Sequence, residues 1–166
     1  ELWRSTNYGR YGTWTKYTSS LQAGWTKIRT ITIAPSSSNH IYVSSGSRLW
    51  KTEDLANWNS LNGGLTGMIT GVAVDANDPN RIWVASSGYN EDQKVYYYDG
   101  TDWTNLTGNL PNVPVNCIVH QTDSPDRIYI GTDYGVYYSE SNNGYWQKFG
   151  EGLPNVIVSD IEIQYE

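Results

Sequence analysis

Three carboxylates stand where a sugar-cleaving pair would have to be assembled: Glu91, Asp92 and Asp133. Hydrolysis of a glycosidic bond needs two carboxyl groups about 5–10 Å apart, one to donate a proton and one to attack or to activate water. Glu91 and Asp92 are consecutive, so in an extended chain they point to opposite sides and make a poor pair. Asp133 could complete a pair with either. The alternative for all three is solvated loop charge, so no residue is assigned as catalytic and these three stand as candidates. Cys117, the only cysteine, has no adjacent positive group to lower its pKa. Ile118 and Val119 follow it, the setting of a buried, inert thiol. His40 and His120 have no second ligand at metal-binding spacing. Asp75, Asn77 and Asp78 open like a calcium loop but lack the later Gly and Glu, and read as a turn. No metal and no cofactor is expected.

Binding chemistry has better material. Eight Trp and fourteen Tyr accompany one Phe and one Met. Aromatics with a polar end suit half-buried sheet faces and stack on sugar rings. Eleven basic and seventeen acidic side chains give a net charge of −6, which argues against a nucleic-acid or anionic-membrane surface. No apolar run approaches the roughly 20 residues of a spanning helix, so no membrane insertion is expected. Asn105-Leu106-Thr107 is a glycosylation sequon, with meaning in a eukaryotic secretory host.

The elements that must position these residues repeat. Trp14, Trp58, Trp103 and Trp146 recur at spacings of 44, 45 and 43. Each follows an apolar-aromatic pair: Leu2-Trp3, Leu49-Trp50, Val95-Tyr96 and Val136-Tyr137. Alternating runs (Ile31/Ile33, Val72/Val74, Ile118, Ile161/Ile163) precede Ile41-Tyr42-Val43, Ile82-Trp83-Val84 and Ile128-Tyr129-Ile130. No segment holds a 3.6-residue period for three turns. Four short strands at a period of roughly 40–50 residues mark an all-β fold of four-stranded antiparallel propeller blades. With strands lettered a to d from ring centre to rim, residues 1–17 form a c–d hairpin. Complete blades follow at 28–61, 69–106 and 115–149, and 157–166 is the innermost strand of a further blade. About three and a half blades make an incomplete ring, since closure needs roughly four to eight. The expected partner is the remainder of a larger propeller chain or a second copy, because open edges invite pairing.

In such blades the b–c and d–a loops share one end and the a–b and c–d turns the other. Arg48, Tyr89, Glu91, Asp92, Asp133, Tyr134 and Trp25 fall on the first end. Trp25, Arg48, Tyr89 and Tyr134 are the candidate ligand contacts, for a polysaccharide or a protein. Most other Trp and Tyr sit at repeat positions, where sheet packing explains them.

The c–d turns carry a resemblance. Thr52-Glu53-Asp54-Leu55-Ala56-Asn57-Trp58, Ser139 to Trp146, Ser5-Thr6-Asn7-Tyr8-Gly9 and Asp99-Gly100-Thr101-Asp102-Trp103 are similar to the Asp-box, Ser/Thr-x-Asp-x-Gly-x-x-Trp. The chain resembles the Asp-box (BNR) propellers: sialidases, sortilin-type domains and xyloglucanase-like proteins. The Leu-Pro-Asn-Val runs at Leu110 and Leu153 are similar to large secreted proteins of Bacteroidetes, which implies a bacterial secreted or cell-surface location. The resemblance makes Ser5, Asn7, Thr52, Asp54, Trp58, Asp99, Trp103, Ser139 and Trp146 structural, with the acidic position accepting turn N–H bonds and the Trp packing across the hairpin. It implies a noncatalytic scaffold or interaction module, or else a piece of a glycoside hydrolase completed elsewhere. A sialidase would need clustered arginines for a substrate carboxylate. Among Arg4, Arg10, Arg29, Arg48, Arg81 and Arg127, the last two begin b strands at the opposite end.

Overall fold

The computed structural model describes residues 2–16, 27–150 and 152–165. Among them there is no helix. A two-stranded sheet pairs β1 (Trp3–Ser5) with β2 (Trp14–Lys16). Three four-stranded antiparallel sheets follow in plain meander order. The first is β3 (Thr30–Ala34), β4 (Ser37–Ser45), β5 (Arg48–Thr52) and β6 (Asn59–Ser60). The second is β7 (Met68–Val74), β8 (Ile82–Ser87), β9 (Val95–Tyr98) and β10 (Trp103–Asn105). The third is β11 (Val115–His120), β12 (Ile128–Thr132), β13 (Gly135–Ser139) and β14 (Gln147–Lys148).

The sheets stack face to face, which is why their central strands are apolar on both sides. Along β8, Ile82 and Val84 enter the cluster shared with the preceding sheet, with Tyr42, Leu49 and Ile69. Trp83 and Ala85 enter the cluster shared with the following sheet, with Val115, Ile128 and Ile130. All four are fully buried. Burying one such aliphatic side chain contributes about 1.5–3 kcal/mol.

The innermost strands β3, β7 and β11 lie side by side. Hydroxyls stitch them: Thr32 Oγ1 donates to the Val72 carbonyl at 3.0 Å, and Thr70 Oγ1 to that of Val115 at 2.8 Å. Register shifts bracket Thr70 in β7 and Asn116 in β11, freeing each from its own ladder. Asn116 Nδ2 then reaches the Val158 carbonyl at 3.2 Å. Val158 thus stands to β11 as Val115 stands to β7. Glycine is required where these layers close: a Cβ on Gly71 would meet Ile118 Cγ2 at 2.9 Å, and one on Gly131 would meet Cys117 Sγ at 2.5 Å. The molecule is an arc of a β-propeller, and its described residues do not close a ring.

Residues 152–165 form no strand, although 157–166 is expected to be one. Only Val156 and Val158 exchange backbone bonds with the β12–β13 turn, through Gly135 N–H and the Thr132 carbonyl. Beyond them Ile161 and Ile163 pack half-buried without a ladder partner. Trp58 and Trp146 stand just before β6 and β14 rather than inside them.

Candidate binding cleft

On the end that carries the b–c and d–a loops, a cleft of about 410 Å³ opens between the second and first complete blades. Gly63, Gly64 and Thr66 of the first blade's outgoing loop form one wall. Asp92, Gln93, Tyr96, Trp103 and Asn105 of the second blade form the other. The loop bearing Asp92 is fastened at both ends. Lys94, fully buried, donates from Nζ to the Gly88 carbonyl at 2.5 Å, and its N–H donates to Thr107 Oγ1 at 3.0 Å. Burial pulls the Lys94 ammonium below the ordinary lysine range. Asn105 Nδ2 donates to the Asp92 backbone carbonyl at 2.7 Å, and Asp92 is exposed and lines the cleft. The Thr66 and Tyr96 hydroxyls are hydrogen-bonded at 2.8 Å.

Trp103 is the cleft's flat apolar element. Its ring lies against Tyr98, centroids 4.9 Å apart. A Cβ at position 63 would meet its Cδ1 at 3.0 Å, so glycine there leaves the indole its place. A half-buried indole beside a carboxylate and two amides can stack one sugar face and take hydrogen bonds from its hydroxyls. Sequence reasoning assigns Trp103 a structural role and misses Thr66, Gln93 and Asn105. The Gly63-Gly64 pair is the signal that could have drawn attention to this loop.

The other candidates are scattered. Trp25 lies outside the described residues. Arg48, Tyr89 and Glu91 are exposed. Asp133 accepts from Asn116 Nδ2 at 2.9 Å in the third blade, and Lys148 Nζ lies 5.0 Å from the Tyr134 ring centroid. Asp92 and Asp133 therefore belong to different loops with different partners. Arg81 and Arg127 are engaged at the far end, by Asp75 and Asp126 and by Glu140 respectively. Among the described residues no group of three His, Cys, Asp or Glu could hold a metal ion. Cys117 is half-buried rather than buried, and desolvation raises its thiol pKa.

The c–d turns are each built differently. Asp54 Oδ1 accepts the N–H groups of Ala56 and Asn57 at 2.9 and 2.7 Å, and Thr52 Oγ1 accepts that of Leu55. Bonds from Asn57 lower the Asp54 pKa to about 2. Asp99 Oδ1 accepts from Thr101 and Asp102, both at 2.7 Å. In the β1–β2 turn the acceptor is Ser5 Oγ, not the expected Asn7, and it takes the N–H groups of Asn7 and Gly9. In the last turn Asn143 accepts from Tyr145, while Ser139 donates to the Ser141 carbonyl. The tryptophans reach beyond their hairpins: Trp146 Nε1 donates to the Leu106 carbonyl of the preceding blade at 2.7 Å. Trp58 packs with Leu2 and Leu55, its Nε1 buried without a partner.

No protein-family model matches the chain, and no curated protein matches it. Solved structures do. An ancestral GH74 enzyme aligns with a TM-score of 0.64 at 18% identity, covering 84% of this chain and 20% of that one. The GH74 xyloglucanase from Xanthomonas campestris aligns at 0.58 and 17%, covering 77% and 24%. YCF48 from Cyanidioschyzon merolae aligns at 0.60 and 9%, covering 83% and 44%. The chain spans less than half the length of each of these neighbours, and at such identities the likeness is one of fold, that of the β-propeller.

Proposed function

We propose that the chain is a noncatalytic arc of a secreted or cell-surface bacterial propeller that holds a glycan in the Trp103–Asp92 cleft. One observation carries the reading. The cleft is lined by a single carboxylate, Asp92, beside one Trp, two amides and two hydroxyls. Glycoside hydrolysis needs a second carboxyl group across the sugar, whereas binding needs a stacking face and convergent polar groups. The Asp-box likeness of the Thr52–Trp58 and Asp99–Trp103 turns supports a scaffold role, because the Thr52, Asp54 and Asp99 oxygens are engaged by turn N–H groups. The larger chain, or a second copy, would supply the rest of the ring.

Calorimetry with xyloglucan oligosaccharides, the substrate class named for one structural neighbour, tests this reading. Binding without release of reducing ends is expected, with about a tenfold loss of affinity in Asp92→Asn. Absence of binding to any neutral glucan would sink it. The second reading, a piece of a glycoside hydrolase, is favoured by the GH74 likeness. It predicts bond cleavage by the longer parent chain that Asp92→Asn or Asp133→Asn abolishes.

A further inference from the structure

Charge is divided unevenly along the arc. Residues 2–52 hold seven of the eleven basic side chains and no carboxylate, while sixteen of the seventeen acidic residues lie from Glu53 onward. The net charge of −6 therefore conceals a cationic segment. Within it, the β1–β2 turn lies on the end of the blade opposite the cleft. Tyr8 and Tyr11 stand there wholly in solvent, with Arg10 between them in sequence, and Trp14 at the base is 51% exposed.

The turn is firmly built. Ser5 Oγ accepts two turn N–H groups, at 3.2 and 3.0 Å, and is hydrogen-bonded to Thr13 Oγ1 at 2.8 Å across the hairpin. Arg10 N–H donates to the Asn7 carbonyl at 3.1 Å, and Thr13 N–H to that of Arg10 at 3.2 Å. Tyr8 is held at φ 49, in the left-handed region. That conformation is unfavourable for a tyrosine, and a fully hydrated ring returns nothing to folding. A rigid turn presenting tyrosine, arginine and glycine has the composition of a binding loop.

We propose that this tip, Tyr8, Arg10 and Tyr11 with Trp14 at its base, is a separate binding site for acidic polysaccharides bearing uronate sugars. A pyranose ring offers an apolar C–H face to tyrosine and tryptophan. Its carboxylate projects from the ring edge, where a planar guanidinium can take it with two parallel hydrogen bonds. Among the described residues the Arg10 guanidinium makes no ion pair, so it can take such a carboxylate without displacing an internal one. The inference does not rest on the glycan reading of the cleft, since the two sites share no residue.

Polygalacturonate oligosaccharides are the probe, titrated into the chain at low and high NaCl beside a neutral glucan and polyglutamate. The expected result is binding that salt weakens and that is at least tenfold stronger than to polyglutamate. Tyr8→Ala/Tyr11→Ala and Arg10→Gln should each weaken it at least tenfold. Tyr8→Gly serves as the folding control, because glycine relieves the φ strain. It should keep or raise the melting temperature while lowering affinity. No binding of polygalacturonate, binding that survives the tyrosine variant, or equal binding of polyglutamate overturns the proposal. So does self-association in light scattering that the same variants abolish, which would make the tip a protein interface.

Discussion

Between the first and second complete blades, Tyr42, Leu49, Leu65 and Ala34 meet Ile69, Val72, Ile82 and Val84. The directional bonds across this interface are isolated ones: the Tyr42 hydroxyl donates to the Pro79 carbonyl at 2.7 Å, Lys51 reaches Asn80, Thr32 Oγ1 donates to the Val72 carbonyl at 3.0 Å, and Ile69 N–H to that of Gly46 at 2.9 Å. Between the second and third blades the apolar layer is comparable, with Trp83, Ala85, Val95 and Leu106 against Val115, Ile128, Ile130 and Trp146. Here a polar chain runs through it as well. Arg81 joins Asp75 at 2.9 Å and Asp126 at 2.7 Å, Asn142 donates to Asp126, and Trp83 Nε1 donates to Asn142 Oδ1, both at 2.7 Å. The same blade repeat is thus closed once by apolar area with isolated hydrogen bonds and once by area plus a connected side-chain network. Damage to the first should scale with atoms removed, and damage to the second with partners orphaned.

Trp83→Ala should have the largest effect, because Trp83 is fully buried and serves both the apolar layer and the network. A loss of about 3–5 kcal/mol is expected in urea unfolding. A loss below about 1 kcal/mol would show that the second interface is not cooperative with the fold. Arg81→Met comes next. It leaves Asp75, whose side chain is 4% exposed, without its cation. Breaking such a pair costs about 3–5 kcal/mol when both partners are buried. Arg81 is 24% exposed, and Asp75 keeps the Asn77 and Asp78 N–H groups, so roughly 2 kcal/mol is expected. Arg81→Met/Asp75→Asn should recover part of it, and failure to recover would argue against coupling between the two.

The apolar interface should respond less to a single atom. Tyr42→Phe removes one hydrogen bond and keeps the ring, with about 1 kcal/mol expected in the same unfolding assay. His120→Phe sharpens the contrast from the other side. His120 stacks on Trp83 with centroids 4.6 Å apart, and both its ring nitrogens are buried without partners. Replacing it removes polar atoms that gain nothing, so the melting temperature should hold or rise by a few degrees. A clear fall would mean that the imidazole has a hydrogen-bonded role.

Much of this contrast lies beyond the reach of a linear reading. The Ile82-Trp83-Val84 run announces a strand buried on both faces, because apolar residues fill consecutive rather than alternate positions. Asp126 and Asn142 look like turn residues, and only the stacking of blades turns them toward Arg81 and Trp83. The cleft hides for the same reason: Trp103 obeys the repeat, and its exposure depends on a Gly-Gly loop some 40 residues earlier. Ile161 and Ile163 have the alternation of a strand, but alternation specifies a face and not a hydrogen-bonding neighbour.

The smallest expected effect lies outside both interfaces, at Asp54. Its carboxylate accepts three bonds from Ala56 and Asn57, which hold its pKa at about 2. The unfolded-chain value is roughly 3.9. The folded state therefore favours the ionised form, and its contribution is complete above about pH 4 and lost as pH falls toward 2. Asp99 has its pKa lowered in the same direction, by bonds from Asp102 and Thr101, so the first and second blades should both loosen in acid. The equivalent turn of the third blade has Ser141 in place of the carboxylate and lacks this response. Melting temperatures of the wild-type chain and Asp54→Asn across pH 5 to 2 should converge on acidification, because protonation removes the advantage that the variant already lacks. Parallel curves would show that these turn bonds do not discriminate the ionised carboxylate. Amide exchange at Ala56 and Asn57 then separates the turn from the interfaces: it should quicken in the variant while that of Tyr42 and Trp83 stays slow.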